Sequence, residues 1–303
     1  YSKSFPSPKQ KLCSGLIIDH QQDVEQLIDQ DFWFAGPAKR RQRCRMRLTF
    51  LGTADGHTRP GRQHSGLLIE AEGTCLLVDA GAAIESSLVE RGLGADDLNA
   101  FYLSHMHSDH TAHAAGLIQH LWLTGRRKKL VFLGPSGVLA AMKTWLPQSL
   151  LFPELIGFEI DWREVNPGKT TRLGKLRLLP FATTHLAALQ RQFGKKNPTT
   201  CFDSFGFSLS TEDKRVVIST DLGHVDDLAK PLRQKADMLI TELAHFSSAA
   251  LAEFLGGREV DQVWLTHYPD SVRDEVATLR KAARKNGFSG KITAAKDGQQ
   301  VRV

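Results

Sequence analysis

Four side chains that can bind metal lie close together in residues 102–110, which read YLSHMHSDH. They are His105, His107, Asp109 and His110. In an extended or loop backbone, residues two positions apart point the same way, so His105 and His107 can bind the same ion. Asp109 and His110 lie far enough beyond them to serve a second ion. Imidazole nitrogen and carboxylate oxygen suit zinc, and less strongly manganese or iron.

Further ligands are needed because two metal ions take about seven or eight protein ligands between them. His185, Asp221 and His267 each stand shortly after an apolar run that reads as a buried strand. Open α/β sheets place ligand sites at this end of their strands. A single His in such a place is usually an ordinary loop residue, but the whole set favours a shared metal site.

The chemistry expected of such a site is hydrolysis. Two zinc ions bound side by side lower the pKa of a shared water towards neutrality, so a metal-bridging hydroxide is available at pH 7. Asp109 is placed to orient this nucleophile while it also binds metal. Arg59, Arg62 and His64, in the loop after the first strand, are either contacts for a substrate phosphate or residues of an ordinary polar loop.

From residue 47 onward, short apolar runs alternate with amphipathic segments, which predicts strands alternating with helices. The clearest helical stripe is Val272, Val276, Leu279 and Ala283, with Arg and Lys on the opposite face. We expect a mixed α+β and α/β architecture with two mixed sheets and helices outside them. Because the two sheets share one core, residues 47–303 are predicted to be one domain.

Residues 1–46 lack the alternation of apolar runs and amphipathic segments that begins at residue 47. They are predicted to be an N-terminal extension with a short helix and a basic linker. Six cations fall within residues 39–47. A nucleic-acid-binding arm and a solvated linker both explain this run, and blocks of charge are more often solvated. The chain starts without Met and without an apolar signal segment, which predicts a trimmed chain and a cytoplasmic protein.

Composition excludes several classes of protein. Hydrophobic residues make up 41% and charged residues 24% of 303, so the chain is neither wholly disordered nor fibrous. No apolar run approaches the roughly 18 residues that a membrane helix needs. The four cysteines form no CxxC pair, which argues against a thiolate zinc site and a disulfide framework. The net charge of +6 weakly favours an anionic partner.

The HxHxDH segment followed by separated His, Asp and His resembles the metallo-β-lactamase fold superfamily. This resemblance covers roughly residues 47–303 and implies an αββα sandwich with a metal site at one edge. It also implies that Asp79 supports the site without binding metal, and that Asp221 bridges two zinc ions. The other implied ligands are His105, His107 and His185 for one ion, and Asp109, His110 and His267 for the second.

Within the superfamily, the chain is most similar to the ribonuclease Z-like phosphodiesterases. The similar segments are residues 48–53, 133–137, 205–207 and 240–248. In that family a His supported by a Glu helps to protonate the leaving oxygen, a role that the resemblance assigns to His245 and Glu242. The alternative for His245 is that it caps a helix beginning at Ser247. Family members that bind transfer RNA carry a long arm before the strand that precedes the bridging Asp. In this chain only residues 210–214 occupy that position.

The favoured function is therefore a dinuclear zinc phosphodiesterase that acts on a small cyclic or nucleotide-like phosphodiester. RNA stays possible as a partner, although the transfer RNA arm is absent, and no membrane partner is expected. One alternative is hydrolysis of a carboxyl ester, lactone, thioester or β-lactam by the same hydroxide. A second is a non-catalytic module that binds nucleic acid through residues 39–47. A di-iron redox enzyme and a homodimeric state also stay open.

Overall fold

The structure is a computed structural model that describes residues 46–82 and 84–303. Residues 1–45 of the predicted N-terminal extension, with its short helix and most of its basic run, lie outside these residues, and the described part begins at the last residue of that extension, Met46. The domain division therefore stays a prediction. Within the described residues, no helix combines the length and the apolar character that crossing a bilayer requires.

In the described part of the chain, fourteen strands form two mixed sheets of seven strands each. The strands are β1 (Met46–Gly52), β2 (Gly66–Ala71), β3 (Thr74–Val78), β4 (Ala100–Tyr102), β5 (Leu130–Gly134), β6 (Ile160–Glu164), β7 (Thr171–Leu173), β8 (Leu176–Ala182), β9 (Phe205–Ser210), β10 (Arg215–Ile218), β11 (Ala236–Thr241), β12 (Val260–Leu265), β13 (Lys291–Ala294) and β14 (Gln300–Arg302). The first sheet has the order β14-β1-β2-β3-β4-β5-β6, and the second has the order β13-β12-β11-β10-β9-β8-β7. Each sheet combines antiparallel hairpins with parallel strands: β3 to β6 in the first sheet, and β10 to β13 in the second.

The helices connect the strands, and most of them cover the outer faces of the sheets. They are α1 (Ile84–Glu90), α2 (Ser108–Thr111), α3 (Ala114–Leu123), α4 (Ser136–Gln148), α5 (Pro153–Ile156), α6 (Ala187–Phe193), α7 (Ser248–Phe254) and α8 (Ser271–Lys285). Helix α6 is an exception, because none of its residues is buried. The helix α8 contains the predicted stripe, since Val272, Val276, Leu279 and Ala283 are all buried. Its Arg and Lys residues stay outside, as an amphipathic helix on a sheet requires.

Three apolar layers hold these elements together. One lies between the two sheets and contains Leu48, Leu76 and Ile240, and the other two lie between each sheet and its helices. Successive strand residues alternate between layers: Leu76 and Val78 face the other sheet, whereas Cys75 and Leu77 face the helices. Because both faces of the central strands are buried, their sequences are continuously apolar. The predicted αββα sandwich with two mixed sheets is confirmed.

Candidate metal centre

The predicted metal ligands lie at one edge of the sandwich, because the strands before them end at that edge. Asp79 directly follows β3, and His105 follows β4, which is parallel to β3. Asp221 follows β10 and His267 follows β12, both of which run parallel to β11. His185 follows β8. Strands β8 and β10 are both antiparallel to β9, so they run in the same direction and end at the same edge. Carboxyl ends of parallel strands are the usual place for such sites.

Three sharp backbone bends turn the chain out of the strands at this edge. Asp79, Thr220 and His267 have φ angles of 58°, 52° and 46°, which place them in the left-handed region. That conformation costs a non-glycine residue on the order of 1–3 kcal/mol and persists only where the surroundings enforce it. Such strain concentrates at functional sites. Here it accompanies two of the site residues and the residue before Asp221.

The seven predicted ligands converge into two groups that share one carboxylate. His105, His107, His185 and Asp221 form the first group, and Asp109, His110, Asp221 and His267 form the second. Within each group the ligand atoms all lie within 4.8 Å of one another. Asp221 Oδ2 is 3.5 Å from His185 Nε2 and 3.3 Å from His267 Nε2, and Asp221 Oδ1 is 3.2 Å from His110 Nε2. Asp221 therefore stands between the two groups.

Two buried polar atoms at the centre of the cluster show that these residues fit a metal. His105 Nε2 and Asp221 Oδ1 are buried, and neither forms a hydrogen bond of good geometry with any residue that the structure describes. A buried polar atom without a partner costs roughly 1–3 kcal/mol. Coordination of a cation would satisfy both atoms. Oxygen and imidazole nitrogen donors in two four-ligand groups match what zinc prefers, and they also accept manganese or iron.

Burial and neighbouring charges together set the charge of the first group. Burial lowers the pKa of His105 and His107, and it lowers the pKa of His185 to about 4. These imidazoles are therefore neutral at pH 7, which is the form that binds a cation. Burial alone would raise the pKa of Asp221, but the charges of His110 and His267 outweigh it and hold that pKa well below its usual value. Asp221 is thus ionised.

Asp79 supports the site through hydrogen bonds, as the family resemblance implies. Its Oδ1 accepts from the Ser104 backbone N–H at 2.8 Å, and its Oδ2 accepts from Ser104 Oγ at 2.9 Å. His110 Nδ1 lies 2.8 Å from Asp79 Oδ2, so Nε2 of His110 is left to face Asp221. Burial opposes protonation of His110, but Asp221 and Asp79 raise its pKa well above the usual value.

Two serines that the sequence did not single out orient two of the histidines. Ser104 Oγ is 2.9 Å from His105 Nδ1, and Ser65 Oγ is 2.9 Å from His267 Nδ1. Each contact leaves the Nε2 atom of its histidine facing the cluster. Hydrogen bonds of this kind fix the tautomer and the ring orientation of metal-binding histidines. No local pattern marks Ser65, because it is 202 positions from His267.

A buried glutamate and a partly exposed histidine stand beside the cluster. His245 Nδ1 lies 2.8 Å from both carboxylate oxygens of Glu242, which is fully buried. The His245 ring lies 4.6 Å from the His185 ring, centroid to centroid, and its side chain is 36% exposed. Burial opposes protonation of His245, but the hydrogen bond and the charge of Glu242 outweigh it and raise its pKa. Ser247 caps α7 through its side chain, so His245 is not the cap of that helix.

The loop after β1 contains the three predicted phosphate contacts, and two of them bind other protein groups. Arg62 is buried and donates to the Tyr268 carbonyl and to Asp270 at 2.9 and 2.8 Å. Arg59 donates to Asp55 at 2.7 and 2.8 Å. His64 has a buried Nδ1 without a partner among the described residues. Contact of Arg59, Arg62 or His64 with a substrate phosphate stays a prediction.

Comparison with known proteins places the chain in a family. The family model described as Anti-Pycsar protein Apyc1 matches residues 46–292. Ribonuclease Z of Methanopyrus kandleri is 32% identical over 139 residues, which are 46% of this chain and 46% of that protein. Ribonuclease Z of Bradyrhizobium diazoefficiens is 27% identical over an alignment of length 286 that covers 78% of this chain and 94% of that protein. The chain spans less than half the length of the first of these relatives.

Solved structures agree on the fold. The metallo-β-lactamase fold protein YhfI from Bacillus subtilis has a TM-score of 0.67 at 24% identity, covering 85% of this chain and 99% of that chain. The short form of human tRNase Z has a TM-score of 0.63 at 20% identity, covering 84% and 98%. These likenesses confirm the predicted fold. The matches to the two ribonuclease Z proteins confirm the resemblance to ribonuclease Z-like metallo-hydrolases. The family model matches most of this chain, so the chain belongs to the Anti-Pycsar protein Apyc1 family. It has the metallo-β-lactamase fold.

Proposed function

We propose that this chain is a metal-dependent hydrolase that uses two zinc ions to cleave a small cyclic or nucleotide-like phosphodiester. The observation that carries this proposal is the pair of ligand groups that share Asp221 beside the hydrogen-bonded Glu242 and His245. A purely structural zinc site is closed and takes four ligands around a single ion. Two adjacent groups with a polar, partly exposed histidine at their side are arranged for chemistry.

The residues that would hold the ions are the seven of the two groups. Bound divalent ions supply positive charge to phosphoryl oxygens and lower the pKa of water towards neutrality. The Asp109 side chain is 13% exposed, so its carboxylate can accept a hydrogen bond from the attacking water and orient that water. With one proton lost to solvent, the water oxygen would attack phosphorus while the bond to the leaving oxygen breaks.

His245 is the proposed donor of the proton that the leaving oxygen needs. Its Nδ1 is bound to Glu242, so a proton on Nε2 is the one that can be transferred. General acid catalysis by a positioned histidine contributes about 10²–10⁴-fold to a rate. Glu242 is also held in place, since it accepts hydrogen bonds from the backbone N–H groups of Ala244 and His245 at 3.0 Å.

A small substrate is favoured over transfer RNA because no arm stands between β9 and β10. These strands form a hairpin in which Arg215 pairs with Ser210, and only residues 211–214 connect them. Small phosphodiesters are therefore the proposed substrate class. Participation of residues 39–47 in nucleic-acid binding stays a prediction, because most of that run lies outside the described residues.

The test is hydrolysis of bis(p-nitrophenyl) phosphate by the zinc-reconstituted protein, compared with nitrocefin and a panel of lactones. We expect turnover of the phosphodiester, and its loss in Asp221→Asn. The matched control is Asp226→Asn, because the Asp226 side chain is 72% exposed and lies outside both ligand groups. Elemental analysis of the purified protein identifies the metal and its stoichiometry. Turnover of lactones or nitrocefin without phosphodiester turnover would instead support the ester or β-lactam alternative.

A further inference from the structure

Two ligands of the first group, His185 and Asp221, follow strands that are not neighbours in their sheet. His185 follows β8 and Asp221 follows β10, and β9 lies between these strands. Neighbouring strands lie about 4.8 Å apart, so β8 and β10 are roughly 10 Å apart. Thr183 Oγ1 donates to Ser204 Oγ at 2.9 Å, which ties the segment after β8 to the residues before β9 but not to the segment after β10. Contacts beyond the sheet therefore decide how His185 and Asp221 lie relative to each other.

The carboxylate of Asp227 joins the two segments. Its Oδ2 accepts hydrogen bonds from the backbone N–H groups of Thr184 at 2.8 Å and Gly223 at 3.0 Å. Thr184 Oγ1 donates to the same carboxylate and lies 3.1 and 3.0 Å from its two oxygens. Thr184 directly precedes His185, and Gly223 is two residues beyond Asp221. One carboxylate therefore holds both ligand segments.

The two segments also touch directly at this point. A Cβ atom on Gly223 would lie 2.4 Å from Thr184 Oγ1 and 2.5 Å from the carbonyl carbon and oxygen of Thr184. Only glycine lets the two backbones approach so closely. The segment after β10 has another anchor, because the Leu222 N–H donates to Glu242 Oε1 at 2.5 Å. Asp227 therefore ties Thr184, and the ligand after it, to a segment that is itself held in place.

Capping of a local turn explains only part of these contacts. Val225–Leu228 form a turn of 3₁₀ helix, and Asp227 completes its capping box by accepting from the His224 N–H at 3.4 Å. The bonds from Thr184 to Asp227 are shorter than this one. They span 43 positions of the sequence, so they do not belong to the turn. Asp227 thus does more than cap a turn.

We propose that Asp227 is a positioning residue that sets the relative placement of His185 and Asp221, and thereby the affinity of the first group for its metal ion. This inference rests on the proposed function, because it takes the first group to be a zinc site. Asp227 belongs to neither ligand group, so it acts through the two segments and not by binding the ion. Residues that hold metal ligands from outside account for roughly 10- to 100-fold in metal affinity. Asp227 is half-buried, so water replaces part of its bonds, and we expect the lower end of this range.

Competition for zinc with a chelating dye tests the proposal in three variants. Asp227→Ala removes every side-chain acceptor, and we expect the first group to bind zinc about tenfold more weakly. Asp227→Asn should bind zinc nearly as the parent protein does, because its carbonyl oxygen can accept from the two backbone N–H groups while its amide donates to Thr184 Oγ1. Asp226→Ala is the matched control, since the Asp226 side chain is 72% exposed and pairs with His224 in its own turn. We expect the control to leave zinc affinity unchanged.

The background in which Asp227→Ala is measured separates positioning from general destabilisation. In His267→Ala, which removes a ligand of the second group only, we expect the same loss of about tenfold at the first group. In His185→Ala the ligand that Asp227 positions is absent, so the further loss should be at most about twofold. A substitution that merely destabilises the fold would lower zinc affinity equally in both backgrounds. Equal losses would therefore overturn the inference.

Hydrolysis of bis(p-nitrophenyl) phosphate by the same zinc-loaded proteins separates this inference from the proposed function. If the parent protein hydrolyses the phosphodiester and Asp227→Ala binds zinc as Asp226→Ala does, the inference is wrong and the proposed function stands. If the parent protein binds zinc but hydrolyses no phosphodiester, the proposed function fails, and the zinc affinities still decide the inference. A parent protein that binds no zinc overturns both.

Discussion

Replacing Ser65 by alanine should weaken zinc binding by the ligand group that contains His267 and leave the group of His105 nearly unchanged. Ser65 Oγ lies 2.9 Å from His267 Nδ1, and Nε2 of the same ring lies 3.3 Å from Asp221 Oδ2. The serine oxygen therefore holds the ring in the orientation and tautomer that binding needs. The alanine substitution removes this acceptor from the second group. It leaves the side-chain hydrogen bonds of His105, His107 and His185 in place.

The size of the effect follows from the burial of the two serines. Leaving a buried N–H without an acceptor costs roughly 1–3 kcal/mol. Ser65 is half-buried, so water can replace part of the lost bond, and about 1–2 kcal/mol remains. At 1.4 kcal/mol per factor of ten, zinc affinity should fall by about five- to thirtyfold. Ser104 is fully buried, so Ser104→Ala should weaken the His105 group by more, towards roughly 100-fold.

The assay is competition for zinc between the protein and a chelating dye, applied to double-mutant cycles. Ser65→Ala is combined with His267→Ala in one cycle and with His105→Ala in a second. We expect a coupling free energy of about 1–2 kcal/mol in the first cycle and close to zero in the second. Coupling of Ser65 to His105 as large as its coupling to His267 would refute the proposed arrangement, because it would mean that the serine acts on the whole cluster.

Four further predictions concern catalysis, backbone packing, thiol reactivity and stability. His245→Ala should lower kcat by about 10²–10⁴-fold for alkyl leaving groups and far less for p-nitrophenolate, which leaves without a proton; equal losses would contradict the role of His245 as proton donor. In Gly81→Ala, the new Cβ would lie 1.7 Å from the carbonyl oxygen of Asp109, so the backbone must shift and equilibrium dialysis should show less bound zinc. Gly116→Ala, whose Cβ meets nothing closer than 3.5 Å, should bind zinc like the parent protein. Burial raises the pKa of the Cys201 thiol to about 11, so at pH 8 it should react with iodoacetamide about 100-fold more slowly than an ordinary exposed thiol, as measured by peptide mass spectrometry. Zinc at 100 times its dissociation constant should stabilise the folded protein by about 2.7 kcal/mol per site, and an unchanged melting temperature would argue against zinc binding to the native state.

The central strands could be predicted from the sequence because burial on both faces leaves a continuous apolar run. The strands β3, β5 and β12 contain the apolar sequences CLLV at residues 75–78, LVFL at residues 130–133 and VWL at residues 263–265. The edge strands β6, β7 and β14 are not recognisable in the sequence, because their sequences, IDWRE, TRL and QVR, are short and largely polar. A strand with a single neighbour buries less surface, so its composition does not distinguish it from a loop.

The convergence of the candidate metal ligands could also be predicted, because their type and their place after strands are local features. The roles of Arg59 and Arg62 could not be judged in the same way. A charged residue in a loop reads as exposed, whereas Arg62 is buried with its guanidinium 4.2 Å from the centre of the Tyr268 ring. Only the approach of the β1 loop to the segment after His267 creates that environment.

The sequence by itself determined which atoms can bind a cation, the order in which they occur, and which strands carry them. The tertiary structure decided that these atoms meet around Asp221, that Ser65 and Ser104 orient two of the rings, and that Glu242 holds His245. Those contacts depend on atoms about 3 Å apart that belong to residues as far as 202 positions apart. The pairing and packing of two separate sheets set such distances, and no periodicity along one strand or helix encodes them.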